Sequence, residues 1–390
     1  MPWITVDAMD QKIKLISDWS TGELSKMDLS SKYEVSRPTI DKWVTRYVEE
    51  GIDGLKERSR APHTINQRTS DEVIEMIIAK RLKNTKRGPK KIIATLKREY
   101  PQIKWPSPST AGEWLKKHNL VHKKKKRHRV APYDEPFRYC TEPNIVWSAD
   151  YKGQFNTQDG KLCYPLTISD NCSRYLLKCH GLEGPRYCET KAVFESTFRE
   201  YGLPYAIRTD NGTPFASVSI GGLSYLSIWW ILLGIAPERI DKGCPEQNGR
   251  HERMHRTLKE EAISNTAQSL KEQQMAFERF KIEYNNERPH EALNQGYPCE
   301  YYKQSTRLYP KRLKEPEYEN NITVRQVYSN GHIKHKSQDF FLSKLLAGYP
   351  IGLKEVADGY WRIYFSFQAI ATLNLRKKKI INKINIPEKV

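Results

Sequence analysis

The order of strand and helix patterns between about residues 140 and 300 is the feature that most constrains the fold of this chain. Three strand patterns, at residues 145–151, 162–169 and 175–180, are separated by polar turns. A helix at 189–201, a short strand at 206–209 and helices at 223–233, 248–263 and 270–284 follow. This succession predicts an α/β domain over residues 140–305, with Asp150 on the first strand and Asp210 at the end of the strand after the first helix.

Residues 1–60 have the pattern of a helix-turn-helix. A short helix over 29–33 is followed by a turn at Glu34 and Val35, and Ser36 is an N-cap that places Pro38 in the first turn of the next helix. The apolar residues predicted to face inward are Ile40, Trp43, Val44, Tyr47 and Val48. The residues predicted to contact DNA are Arg37, Thr39, Lys42 and Arg46. An ordinary helical hairpin with charged flanks is the alternative, and the basic context favours DNA binding.

Residues 61–121 predict a second, helix-turn-helix-like DNA-binding module. Gly88-Pro89 separates an apolar stripe at 73–78 from another at 92–96, and Ser107 opens a third helix that carries Trp114 and Leu115. A basic linker over 122–139 follows, and it contains Lys123, Lys124, Lys125, Lys126, Arg127 and Arg129. Such a run stays exposed, either as a solvated spacer or as a strap across phosphates.

Residues 306–390 contain short alternating runs with hairpin-turn dipeptides at Asn330-Gly331 and Asp358-Gly359. They predict a small β-barrel or sandwich that closes with the basic tail 376–379. The chain as a whole is therefore predicted to be multidomain, with all-α amino-terminal modules, an α/β core and a small all-β carboxy-terminal domain.

The charge distribution points to a polyanionic partner. The formal net charge is +19, and the balance is +13 in residues 1–131, −3 in 132–305 and +9 in 306–390. Basic ends around a mildly acidic centre favour DNA-gripping modules on either side of a metal-dependent site, although solvated charged faces alone would also be basic. Seven cysteines without a Cys-x-x-Cys pair predict reduced, mostly buried thiols of a cytosolic protein. We expect neither a secretory signal nor a membrane span.

Three acidic residues lie in local sequences that would suit a two-metal phosphodiester site. They are Asp150 in Trp-Ser-Ala-Asp, Asp210 in Arg-Thr-Asp-Asn-Gly, and Glu252 after Asn248-Gly249. Mg²⁺ and Mn²⁺ prefer carboxylate oxygens, and a pair of such ions can activate an attacking oxygen and stabilise a leaving one. On the helix predicted to carry Glu252, Arg256 and Lys259 share its face and would meet phosphate.

These motifs resemble those of transposases and retroviral integrases that share a ribonuclease-H-like core with an Asp-Asp-Glu triad, most of all bacterial insertion-sequence transposases. The resemblance covers residues 140–300 and includes Pro-x-Gln-Asn-Gly-x-x-Glu at 245–252 and the run 284–293. It implies strand hydrolysis at an element end and joining of the 3′ hydroxyl to target DNA, with two Mg²⁺ or Mn²⁺ ions held by Asp150, Asp210 and Glu252. It also implies a homo-oligomer on double-stranded DNA in the bacterial cytoplasm, associated with the nucleoid.

Several alternatives remain open at the level of sequence. Glu246 competes with Glu252 for the third position, because the interval from Asp210 is closer to the retroviral one, but Gly249 keeps the family register around Glu252. Asp170 is better suited to capping a turn than to catalysis. The chain could also be a DNA-binding protein that keeps the fold without cutting.

A rival of another class follows from His251-Glu252-x-x-His255, which matches the helical zinc signature of metalloproteases. The arginines at positions 250, 253 and 256 would repel a cation, and no third ligand follows at a familiar spacing. The protease interpretation also leaves both aspartates and the basic ends unexplained.

Overall fold

The structure is a computed structural model that describes residues 7–58, 69–121, 140–241 and 244–381. It contains two compact units, residues 1–68 and residues 69–390. The basic run at 123–129, which was predicted to contact phosphates, lies outside the described residues.

The first unit is a small helical bundle. Its helices are α1 (Ala8–Ser20), α2 (Lys26–Lys32) and α3 (Arg37–Glu50). The turn at Glu34 precedes Ser36, which is the N-cap of α3, and Ile40, Trp43 and Val44 are buried as predicted. Val48 is 67% exposed, so the prediction that it faces inward is wrong. At 100° per residue it lies about 80° around the helix from Ile40, at the margin of the apolar stripe.

The second unit begins with three more helices, α4 (Asp71–Lys83), α5 (Pro89–Glu99) and α6 (Pro108–Lys117). Ile77, Ile92, Leu96 and Leu115 form the centre of their apolar core. The hydroxyl of Ser107 caps α6 by accepting the Thr110 amide N–H at 3.2 Å. The predicted all-α composition of the amino-terminal region is therefore confirmed.

A mixed sheet with helices around it follows. Its elements are β1 (Val146–Tyr151), β2 (Phe155–Asn156), β3 (Leu162–Asp170), β4 (Leu176–Leu182), α7 (Tyr187–Tyr201), β5 (Ala206–Thr209), α8 (Tyr225–Leu232), β6 (Ala236–Arg239), α9 (Gly249–Leu258), α10 (Leu270–Asn286) and α11 (Pro298–Tyr301). The strand order is β2-β3-β1-β5-β6, with β4 also paired to β3. Strand β1 runs antiparallel to β3 and parallel to β5. The predicted α/β, ribonuclease-H-like core is confirmed.

The carboxy-terminal region is all-β, as predicted. Its strands are β7 (Thr323–Gln326), β8 (His332–His335), β9 (Gln338–Phe341), β10 (Pro350–Ala357), β11 (Tyr360–Phe365), β12 (Gln368–Asn374) and β13 (Lys379–Ile381). Five form an antiparallel sheet in the order β13-β12-β11-β10-β7, and β8 and β9 form a hairpin. The run 376–379 is not a tail. It turns the chain from β12 into β13, and Lys378 adopts a left-handed φ of 49° there.

Helix α8 belongs to two apolar cores at once. Leu226, Trp229 and Trp230 pack with the residues under the mixed sheet, which confirms that the two tryptophans are core residues. Ile228 and Ile231 pack with the carboxy-terminal strands. A helix with apolar residues around most of its circumference must be covered on more than one side, and the two cores do this.

The seven cysteines are reduced thiols, and two of them, Cys163 and Cys179, are buried. The expectation that most of the thiols are buried is therefore wrong, since the others lie near the ends of elements where water reaches them. Within the described ranges, none of the helices combines the length and the apolar character that a bilayer crossing requires.

Candidate active site

Two of the three predicted acidic residues meet at one edge of the mixed sheet. Asp150 is the fifth residue of β1, and Asp210 directly follows β5. Because β1 and β5 are adjacent and parallel, with Ser148 paired to Arg208, their carboxyl ends lie side by side. The strand order thus brings together two carboxylates that are 60 positions apart in the chain.

Asp150 is a carboxyl in an unfavourable setting for a negative charge. Burial raises its pKa from 3.8 to about 7, and the nearby charge of Asp210 adds to that rise. The Asn248 side chain donates to Asp150 Oδ2 at 3.1 Å and offsets part of the effect. A partly buried carboxylate beside a second one is the arrangement that a bound cation would relieve.

Hydrogen bonds in the loop after β5 fix the orientation of the Asp210 carboxylate. The Gly212 amide N–H donates to Asp210 Oδ1 at 3.0 Å, and the Asn211 amide group donates to the Ile240 carbonyl at 2.9 Å. A Cβ at Gly212 would lie 3.0 Å from Asp210 Oδ2, so the absence of a side chain leaves space for the carboxylate. The Asp-Asn-Gly sequence therefore acts as a turn that presents the acid, as the sequence predicts.

Glu252 lies in the first turn of α9 and is exposed. The opposite face of α9, with Met254 and Leu258, is buried against α10 and the sheet. Glu252 is four residues after Asn248 and three before His255, and both of these approach Asp150. Glu252 therefore lies about one helical turn from two residues that approach Asp150.

Arg256 and Lys259 are exposed on the same side of the helix as Glu252. The side chain of Glu246, the competing candidate, lies outside the part of the chain that the structure describes.

The two histidines of the His-Glu-x-x-His pattern lie on the buried face of α9 and share one hydrogen-bond partner. His251 Nε2 and His255 Nε2 are each 2.7 Å from the hydroxyl of Thr167 on β3. Burial lowers the pKa of His251 to about 3 and that of His255 to about 2, the latter with a contribution from His251. Both imidazoles are therefore neutral at physiological pH.

These histidines also complete a group of possible metal ligands. Asp150, His251 and His255 each offer one ligand atom, and the three atoms lie within 4.8 Å of one another. Asp210 and Glu252 are not members of this group. His251 and His255 are 2% and 6% exposed, so a metal held by both of them would be closed off from a peptide substrate, which argues against the protease interpretation. The sequence pattern identified the histidines, but it did not show that they approach Asp150.

Asp170 has the structural role that its sequence context predicts. It is 1% exposed and accepts hydrogen bonds from the Asn144 and Ser173 amides and from the Ser173 hydroxyl. These bonds tie the end of β3 to the segment before β1. Asp170 thereby fixes the strand that carries Asp150.

The run 284–293 fastens helices to the sheet, a role that the sequence alone did not reveal. The side chain of Asn285 donates to the Leu176 carbonyl at 2.9 Å and accepts the Leu176 amide N–H at 2.8 Å. Arg288 forms a buried ion pair with Glu261. Arg87, which precedes α5, pairs with Glu283 at 2.5 Å, so the second helical module is held against α10.

The predicted DNA-contacting residues of the first unit all lie on α3, with Arg37 about 140° around the helix from Lys42. Arg37 and Lys42 are exposed, whereas Thr39 and Arg46 are half-buried. The Thr39 hydroxyl lies 2.9 Å from that of Ser36 at the helix start, and the Arg46 guanidinium lies 5.2 Å from the centre of the Trp43 ring. Arg37 and Lys42 are consequently the more accessible pair.

Comparison with protein families gives three matches. An integrase core domain matches residues 233–298, a homeodomain-like domain matches 39–115 and a helix-turn-helix domain matches 11–63. The integrase match includes Glu252, α9 and the run 284–293, whereas Asp150 and Asp210 precede it.

Curated relatives come from insertion elements. The chain is 26% identical over 185 residues to the insertion element IS407 uncharacterized 31.7 kDa protein of Burkholderia multivorans, which covers 46% of this chain and 63% of that protein. It is 25% identical over 189 residues to the insertion element IS476 uncharacterized 39.2 kDa protein of Xanthomonas euvesicatoria, which covers 46% of this chain and 51% of that protein. The chain thus spans less than two thirds of the length of each relative.

Solved structures with detectable similarity include the catalytic core domain of HTLV-2 integrase in complex with magnesium, at 17% identity and a TM-score of 0.33, over 42% of this chain and 98% of that one. A simian T-cell lymphotropic virus intasome in complex with the PP2A regulatory subunit B56 gamma matches at 16% identity and a TM-score of 0.37, over 73% of this chain and 91% of that one.

Proposed function

We propose that this protein is a DNA transposase. Support comes from the match to an integrase core domain, from the helix-turn-helix matches before it, and from the similarity to insertion-element proteins. It would bind the ends of its element, hydrolyse one strand to expose a 3′ hydroxyl and join that hydroxyl to target DNA. The core would thus act as a polynucleotidyl transferase of the Asp-Asp-Glu type.

The observation that carries this proposal is the pairing of Asp150 and Asp210 at the carboxyl ends of two adjacent parallel strands. Burial and the second charge together oppose ionisation of Asp150, whose pKa is raised to about 7. A fold gains nothing in stability from such a pair. The pair is therefore best explained by binding of a cation.

The donor chemistry of this edge fits divalent metal. Carboxylate oxygens from Asp150, Asp210 and Glu252 would hold two Mg²⁺ or Mn²⁺ ions. Bound there, such ions would supply activation of the attacking oxygen and stabilisation of the leaving oxygen.

Other residues of the chain would bind and orient the nucleic acid. Arg256 and Lys259 extend from the helix that carries Glu252, so they would contact phosphates next to the scissile bond. Arg37 and Lys42 on α3 would contact the element end, and the linker lysines at 123–126 would neutralise phosphates between the modules. Joining two ends to one target requires at least two copies of the chain on DNA. A bacterial cytoplasmic protein associated with the nucleoid fits this activity.

The test is cleavage of labelled duplexes taken from the DNA that flanks the coding region, incubated with the full chain and Mg²⁺ or Mn²⁺. We expect a nick that leaves a 3′ hydroxyl and, with added target duplex, joined products. Asp150→Ala, Asp210→Ala and Glu252→Gln should each abolish both steps while leaving duplex binding intact, and Asp159→Asn on the surface should change neither.

Tight duplex binding without any nick, unchanged by Asp150→Ala, would identify a DNA-binding protein that does not cut. Casein cleavage that depends on zinc would identify a protease instead.

A further inference from the structure

The His255 Nδ1 atom faces Asp150 and has no hydrogen-bond partner among the described residues. The His255 Nδ1 atom lies 3.8 Å from Asp150 Oδ2, and both side chains are largely shielded from water. This distance is too long for a hydrogen bond. Whether the two side chains can interact therefore depends on which ring nitrogen of His255 carries the proton.

The hydrogen bonds around Thr167 settle which nitrogen carries the proton. A hydroxyl has one hydrogen to donate and two lone pairs to accept with. The Thr167 hydroxyl is 3.0 Å from the Asp150 carbonyl, which can only accept, and 2.7 Å from Nε2 of both His251 and His255. All three contacts are satisfied when the hydroxyl donates to the carbonyl and accepts an N–H from each Nε2 atom.

This tautomer leaves both Nδ1 atoms as lone pairs. The lone pair of His251 Nδ1 is met by the Ser169 hydroxyl at 3.3 Å, so its partner is accounted for. The lone pair of His255 Nδ1 instead faces a carboxylate oxygen, which is also an acceptor. When Asp150 is ionised, two acceptors face each other in a partly buried site, and a cation between them would satisfy both lone pairs.

The separation of the two atoms suits a shared metal ion. Ligand atoms about 2.1 Å from one ion lie between about 3.0 Å apart at a right angle and about 4.2 Å apart when opposite. The observed 3.8 Å falls inside this interval. The Thr167 hydroxyl accepts the N–H of the far ring nitrogen, and an acceptor in that place is the usual support of a metal-bound histidine.

We propose that His255 Nδ1 is a nitrogen ligand of the divalent ion that Asp150 binds. This inference depends on the proposed function only in taking Asp150 as a metal ligand. A site of mixed oxygen and nitrogen ligands binds Mn²⁺ in preference to Mg²⁺, since imidazole favours transition metals. The histidine of the His-x-x-x-His spacing thus serves the nucleic-acid site, and Glu252 lies one turn away on the same helix.

The test is pulsed electron paramagnetic resonance of Mn²⁺ bound to the full chain, which detects a directly bonded nitrogen by its coupling to the metal. We expect ¹⁴N coupling in the wild-type protein that changes to the ¹⁵N pattern when the histidines are labelled with ¹⁵N. His255→Gln should remove the coupling and weaken Mn²⁺ binding at least about tenfold, since even the outer partners of a ligand contribute 10–100-fold. His251→Gln is the matched control and should keep the coupling.

The outcomes separate the two hypotheses. Mn²⁺ binding that is lost in Asp150→Asn but shows no nitrogen coupling in the wild type would overturn the role of His255 and leave the proposed function standing. Coupling that persists in His255→Gln would also overturn that role. Mn²⁺ binding that Asp150→Asn does not alter would overturn both. The labelling experiment uses the wild-type chain, so the result does not depend on whether a variant folds.

Discussion

Replacing Asp150 by asparagine is expected to stabilise the metal-free protein at neutral and alkaline pH. The pKa of Asp150 is raised from 3.8 to about 7 by burial and by Asp210, so the folded carboxyl keeps its proton to a higher pH than the unfolded one. The folded state then binds more protons between about pH 4 and about pH 7, and its stability falls as pH rises through that window. A shift of this size corresponds to an upper limit of about 4 kcal/mol at alkaline pH.

Urea unfolding in the presence of a chelator, followed by tryptophan fluorescence, measures this effect. The stability advantage of Asp150→Asn over the wild type should grow by about 3 kcal/mol between about pH 5 and about pH 8.5. Asp159→Asn is the control, because the Thr157 hydroxyl lowers the pKa of that exposed carboxyl and its removal should give no such gain. An advantage for Asp150→Asn that is the same at every pH would refute the reasoning. Added Mn²⁺ should raise the stability of the wild type alone.

Three further substitutions have defined expectations. Asn285→Ala would leave the Leu176 amide and carbonyl unpaired and should lower the free energy of unfolding by about 2–5 kcal/mol, measured by urea titration. Gly212→Ala would push a methyl group against Asp210 and should reduce strand cleavage at least about tenfold with little change in duplex binding, a result that equal cleavage rates would contradict. Trp230→Ala should cost about 3–5 kcal/mol, and a loss below about 1 kcal/mol would show that α8 is not a core helix.

The sequence predicted the elements that carry strong periodic signals. The Glu34 turn before α3, strand β1 with Asp150 and the Asp-Asn-Gly turn after β5 all follow from local chemistry, namely an N-cap, a buried strand and a turn dipeptide. The number of possible arrangements of these elements is small, because successive strands and helices have few ways to stack.

Short or partly exposed strands could not be predicted in the same way. Strand β6 has four half-buried residues and includes Pro237, and β8, β9 and β13 contain only three or four residues each. Such segments are strands because a neighbour provides hydrogen bonds, which is information from distant parts of the chain.

The role of the histidine pair also could not be predicted from the sequence alone. Its spacing on a helix was visible in the sequence, but its meaning depends on Thr167, which is more than 80 positions away and reaches the helix only through the pairing of β3 with β1. Glu252 is the converse case. Its motif identifies it, while the structure shows it exposed in the first turn of α9.

Because α8 packs into two apolar cores, it limits where the chain can be truncated. A polypeptide that stopped near residue 305 would lose the strands that cover Ile228 and Ile231. The apolar side of α8 would then be exposed to water. Fragments of the α/β core alone should therefore aggregate during purification, and soluble material should be obtained only when the last 85 or so residues are retained.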